Sequence, residues 1–127
     1  MQGTRLLGDG YEPQVWLEGE RLTYSLPVDS GFVSFNFTFD IRQRDLDVLR
    51  TDNFRRAVLE IVAHTVLQHS TLKGNPRLTQ SDFDNLVADV LHSTSDALQA
   101  FITRIGQQHN IAIEHYVKEI LKRLAMN

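Results

Sequence analysis

Between Phe32 and Ile41 the chain reads Phe-Val-Ser-Phe-Asn-Phe-Thr-Phe-Asp-Ile. Val33, Phe35, Phe37, Phe39 and Ile41 fall on one side of an extended chain, and Ser34, Asn36, Thr38 and Asp40 on the other. Five apolar residues in strict alternation describe a strand in a sheet with one packed face and one wet face. A second alternating run covers Arg21 to Leu26, with Leu22, Tyr24 and Leu26 on its apolar side. Gln14 to Glu18 precedes it across Gly19-Glu20. Glycine at the first central position of a two-residue loop suits a type II′ hairpin turn. Pro27 and Asp29-Ser30-Gly31 are expected to break the second run. The reading is a three-stranded antiparallel meander over residues 14–41, after a flexible start over residues 1–13.

From residue 44 onward the periodicity is helical. Arg44 to Arg50 suits a short helical turn, and Thr51 or Asp52 is placed to cap a long helix ending near Ser70. Phe54, Val58, Ile61, Val62 and Thr65 share one face of that helix. Leu59, Ala63, Val66 and Leu67 widen the apolar arc. An arc this broad predicts a central helix touching both the sheet and other helices. Lys73-Gly74-Asn75-Pro76 reads as a loop. Thr79 with Asp82 resembles a capping box opening a helix with Phe83, Leu86, Val87, Val90 and Leu91 as its buried stripe. Ser95 is expected to cap the next helix, with Gly106 near its end, and Asn110 to cap the last. Strands first and helices after define an α+β chain. The expected architecture is a three-stranded antiparallel sheet packed against three to four helices. Phe35, Phe37, Phe39, Val58, Ile61, Val87, Phe101, Val117 and Ile120 are expected in the core.

A chain of 127 residues suits one domain, residues 1–127, and 42% hydrophobic residues supply a core. It contains no cysteine, so disulfides, thiolate metal sites and cysteine nucleophiles are excluded. The net charge of −3 argues against a general nucleic-acid binder. No apolar stretch has the form of a secretory signal or a membrane span, so a cytoplasmic protein with no membrane partner is expected.

Catalytic signatures are sparse. Of the five histidines, His64 and His69 are five apart, not the four a helical metal pair needs, and the others are farther. No metal and no cofactor are expected. Glu60 and His64 form an i, i+4 pair, in which a carboxylate could orient an imidazole for general-base work. The same spacing is ordinary surface pairing on a helix. Gly8-Asp9-Gly10 lacks the lysine of a phosphate-binding loop, and Asp82-Phe83-Asp84 lacks the glycine and distal glutamate of a calcium loop. The helix–break–helix pattern from Phe83 to Gln107 has the outline of a helix-turn-helix. Its second helix carries only Arg104 as a basic residue, too little for a DNA reader. No catalytic residue is therefore assigned.

Charge is distributed in blocks. Residues 1–50 carry −3, residues 51–78 carry +2, residues 79–109 carry −3 and residues 110–127 carry +1. In the acidic helix Asp82, Asn85 and Asp89 lie opposite the apolar stripe, as a strip that would attract a basic protein surface. These three are the expected partner contacts. The polar face of Ser34, Asn36 and Thr38 belongs to a strand that, at an edge, could accept a partner strand.

The run Phe35-Asn-Phe-Thr-Phe-Asp-Ile41, the helix from Leu49 to Ser70, and His109-Asn-Ile-Ala-Ile-Glu-His-Tyr116 together resemble the core of bacterial immunity proteins from polymorphic-toxin and contact-dependent growth inhibition systems. The resemblance covers most of residues 32–127 and carries no site residues with it. It implies a non-enzymatic protein that binds and neutralises a cognate toxin domain. Two alternatives remain: a homodimeric secretion-chaperone or assembly module, and a small enzyme built on Glu60 and His64.

Overall fold

The computed structural model describes residues 3–9, 12–30, 33–72 and 74–126. Gly10, Gly31, Phe32 and Lys73, and the side chains of Ser30 and Val33, lie outside what it describes, and with them the parts of the sequence reading that used them. The chain is α+β. Strands β1 (Thr4–Leu7), β2 (Gln14–Glu18), β3 (Arg21–Ser30) and β4 (Val33–Ile41) come first. Helices α1 (Gln43–Thr51), α2 (Asn53–Ser70), α3 (Gln80–Leu91), α4 (Ser95–His109) and α5 (Ile113–Ala125) follow. The sheet is antiparallel throughout, in the order β1-β2-β3-β4.

The fourth strand corrects the expected three. β1 pairs with β2 as Thr4↔Leu17, Arg5↔Trp16 and Leu7↔Val15, with a bulge between Arg5 and Leu7. It was invisible to alternation because it is four residues long and bulged, which breaks the period of two. The turn after it is tight: Gly8 has φ 87°, and a Cβ there would stand 2.0 Å from the Pro13 carbonyl oxygen. The β2–β3 turn follows the expectation. Gly19 has φ 62° and Glu20 has no positive φ, the pattern of type II′ rather than type I′.

Pro27 does not break β3; it pairs with Asn36. The pairing of β2 with β3 ends at Gln14↔Ser25, so beyond that point β3 has a neighbour on one side only. A proline needs no ladder N–H on an open edge.

Pairs Leu22↔Ile41, Tyr24↔Phe39, Leu26↔Phe37 and Val28↔Phe35 set the inner face. Phe39 stacks on Phe83 of α3 at 4.4 Å between centroids, and Tyr24 meets the same ring at 5.6 Å. Burial pushes the Tyr24 phenol well above its ordinary pKa. Of the expected core, Phe39, Val58, Val87, Phe101, Val117 and Ile120 are buried. Phe35, Phe37 and Ile61 are only half-buried. The helices cover one end of the phenylalanine row and leave Phe35 and Phe37 at the margin.

Helix α2 is central as its wide apolar arc predicts, touching β3 and every other helix. Ala57, Val58, Leu59, Val62, Ala63 and Leu67 are buried, but Phe54 is 37% exposed, outside the expected face. Five helices replace the expected three to four, because Gln43–Thr51 is a full helix rather than a single turn.

Capping follows local chemistry with two shifts. Asp52 accepts the Arg55 N–H, and Thr79 with Asp82 closes a capping box on α3. Thr94, not Ser95, caps α4, accepting the Ala97 N–H. Asn110 does not start α5 but ends α4 in the left-handed region, at φ 50° and ψ 51°. Gly106 is therefore inside α4, where a Cβ would lie 3.1 Å from the Ile111 carbonyl as the chain turns back. No helix among the described residues is long and apolar enough to cross a membrane.

Candidate functional site

Helix α3 carries the expected strip. Its buried stripe is Phe83, Leu86, Val87, Val90 and Leu91, and Asp82, Asn85 and Asp89 are exposed on the other side. The structure divides the three. Asp82 belongs to the cap: its carboxylate accepts the Thr79 N–H at 2.9 Å, while the Asp82 N–H donates to the Thr79 hydroxyl at 3.1 Å. The bond from the Thr79 backbone, then that from its side chain, holds the Asp82 carboxyl below the usual carboxylate range. Asp84, which the strip omitted, accepts from Gln80 at 2.8 Å. Asn85 and Asp89 make no side-chain hydrogen bond or ion pair among the described residues. Helix α3 contains no lysine or arginine, although Arg42 and Arg44 line one cleft with its Asp84 and Asn85.

The Glu60–His64 pair is not brought together as a dyad. Glu60 is taken by Arg123 of α5, whose Nη1 and Nη2 donate to its two carboxylate oxygens at 3.0 and 2.6 Å. The Arg123 Nε stands 2.6 Å from Glu12 Oε2, an ion contact without hydrogen-bond alignment. The bond to Glu60 outweighs the opposing desolvation and raises the Arg123 pKa. This clamp joins the β1–β2 connection, α2 and α5. Its residues are far apart in sequence, and no local spacing signals it. Glu60 and His64 do line a groove of about 480 Å³ with Leu26, Ile61, Tyr116 and Ile120. There Glu60 is a structural anion, committed to the guanidinium.

The histidines are not all separate. His69 and His109 meet edge to face at 5.1 Å where α2 and α4 end. Desolvation, then the neighbouring His69, lowers the His109 pKa. His92, which sequence reasoning passed over, caps the end of α3 and lies 2.6 Å from the Asp45 carboxylate. Asp45 is buried and its other oxygen accepts the Arg42 N–H at the start of α1. The Asp45 carboxylate in the first turn of α1, where the helix dipole favours an anion, thus meets an imidazole at the end of α3. The pair lines a cleft of about 450 Å³ with Asp40, Arg42, Arg44, Gln80 and Asp84. No group of three or more histidine, aspartate or glutamate side chains among the described residues is arranged to hold a metal ion. Arg104, the lone cation of the would-be recognition helix, lies over its own Phe101 ring at 5.2 Å.

Comparison with protein-family models, with curated proteins and with solved structures finds no match to this chain.

Proposed function

We propose that the chain is a non-enzymatic protein-binding module whose α3 face docks on a basic surface of its partner. In this reading it acts as an immunity protein does, masking a cognate toxin domain inside the cell that makes both. The observation that supports it is the exposed face of α3, a helix without lysine or arginine, on which the Asn85 and Asp89 side chains make no hydrogen bond or ion pair among the described residues. Exposed carboxylates of one sign raise the capture rate of an oppositely charged protein more than they raise final affinity. Affinity capture from the producing cell, followed by kinetics with the purified partner, tests the reading. The double variant Asn85→Lys/Asp89→Lys leaves the Thr79–Asp82 cap intact. It should slow association and flatten the dependence of the on-rate on salt. An on-rate unchanged in this variant would remove α3 from the interface.

A further inference from the structure

The groove that Glu60 and His64 line extends beyond them. Its apolar wall is made by Pro13, Leu26, Pro27, Ile61 and Ile120. Past Ile61, His64 and Tyr116, which border both parts, it continues into a second hollow of about 510 Å³ edged by Thr65, Leu72, His109 and Ile111. Hollows of this size are typical of small-molecule sites, and two joined ones exceed what a single side chain of a partner would fill. Leu72 and Tyr116, at 53% and 45% exposure, are large apolar residues that the fold leaves uncovered, and both lie here. Apolar surface gathered in a concavity marks a binding surface in a way that scattered exposed residues do not.

The two parts differ in charge. Asp29, Glu60 and Glu119 border the first, and no lysine or arginine does. The cations that come near are Arg123, Lys122 and Arg56. Arg123 lies between Glu60 and Glu12, so that trio keeps one negative charge. Lys122 stands 3.6 Å from Glu119 with both side chains exposed, a pairing worth little in water. Arg56 is one turn before Glu60 on α2, where its charge reaches Tyr24. The Asp29 carboxylate accepts the Ser34 hydroxyl at 2.6 Å and makes no ion pair among the described residues. Four carboxylates against three cations leave this part negative.

The second part has no carboxylate, lysine or arginine on its border. Its titratable groups include imidazoles, and burial, then His69, holds the His109 pKa low, so that ring is uncharged at neutral pH. One end of the groove thus favours a cation and the other an uncharged apolar group. A carboxylate or phosphate ligand would meet Asp29 and Glu119, and a diamine would place its second charge beside Leu72 and Ile111.

We infer that this groove binds a small amphipathic amine, a single ammonium on an apolar body. Asp29 and Glu119 hold the ammonium, and the body runs along Ile61 and Tyr116 toward Leu72 and His109. An ammonium between carboxylates and an aromatic ring is favourably placed, by charge-assisted hydrogen bonds and by the π face. No residue of α3 borders the groove, so the site goes beyond the protein-binding reading and does not depend on it.

The test titrates the full chain with phenylbutylamine, phenylbutanol and phenylbutyrate at about pH 8, where imidazoles of ordinary pKa are uncharged. Binding is read by calorimetry and by amide chemical shifts. The amine should bind and shift Ile61, Tyr116 and Ile120. Phenylbutanol should bind about threefold more weakly, and phenylbutyrate at least about tenfold. Only the amine should bind less well as salt rises. The double variant Asp29→Asn/Glu119→Gln changes two exposed side chains at constant size. It should bring the amine to within about twofold of the alcohol, with an unchanged unfolding curve. Leu72→Ser should weaken amine and alcohol alike. Should the double variant unfold, the three ligands on the native chain still decide. Absence of amine binding, phenylbutyrate binding as tightly as the amine, or an amine preference that survives the double variant would each overturn the inference. So would a lysine-bearing peptide that binds more tightly than the amine, which assigns the groove to a partner chain. A dimer that the amine fails to dissociate assigns it to a second copy, with the same result. Because these readouts do not involve Asn85 or Asp89, the α3 reading can fail while the groove site stands, and the reverse.

Discussion

Leu26–Ser30 of β3 and Ser34–Thr38 of β4 are both strand edges without a neighbouring strand, a few ångströms apart across one ladder, and they are finished differently. The β3 edge carries Pro27, which offers no N–H, and Gln68 of α2 donates to the Asp29 carbonyl at 2.9 Å. The third edge, β1, is four residues long, bulged, and bears Arg5. Among the described residues, only β4 presents several outward groups in succession beside half-exposed phenylalanine. The difference teaches that edge protection here is assigned position by position. It comes from Pro27 within β3 and from Gln68 and Gln80 on helices, the last accepting the Asp40 N–H at 2.8 Å, so the same fold can close one edge and leave another available.

The phenylalanine row gives the largest effect. Phe83 is fully buried against Phe39 and Tyr24, so Phe83→Ala should cost about 3–5 kcal/mol in urea unfolding. Phe35→Ala, at the open end, should cost under about 1.5 kcal/mol. Equal costs would break the distinction between a packed end and a free end. Next comes the guard at Asp40. Gln80→Ala should speed exchange of the Asp40 amide by at least about tenfold, as a bond worth about 1.4 kcal/mol is lost. No change there would mean that Gln80 does not close that end of β4. Smaller again, Pro27→Val should alter stability by less than about 1 kcal/mol while increasing aggregation measured by light scattering. Unaltered aggregation would show that Gln68 alone guards β3.

The smallest effect is the pH dependence at the end of α2 that carries Gln68. The folded-state pKa of His109 lies below its unfolded value, because burial and His69 disfavour the cation. Its contribution to stability is therefore complete above the unfolded value of about 6.5 and is lost as pH falls through the folded one. His109→Asn should lessen the stability difference between neutral and mildly acidic unfolding curves. An undiminished difference would place the acid sensitivity elsewhere.

Much of this was legible in the chain. The alternation from Val33 to Ile41, the glycine at position 19, the wide arc of α2 and the Thr79–Asp82 box each predict what forms, because each depends on neighbours within a turn or a strand. The exposed side of α3 follows from the same periodicity. Other features had no local signature. β1 exists because β2 offers it a partner, and Asn110 ends α4 because the chain must turn there to bring α5 back. The half-exposure of Phe35 and Phe37 depends on where the helical layer stops, which no strand pattern records.

The sequence by itself determined the order of strands and helices, the faces they bury, and an acidic α3, since hydrophobic period, turn chemistry and formal charge are properties of short segments. Tertiary structure alone decided how that chemistry was used. It gave Glu60 to Arg123 instead of His64, set His92 on Asp45, spent Asp82 on a helix cap, and sealed Asp40 with Gln80 while leaving Asn36 open. Each of those outcomes is fixed by which distant atoms come within hydrogen-bonding distance, and that distance is set only when the layers pack.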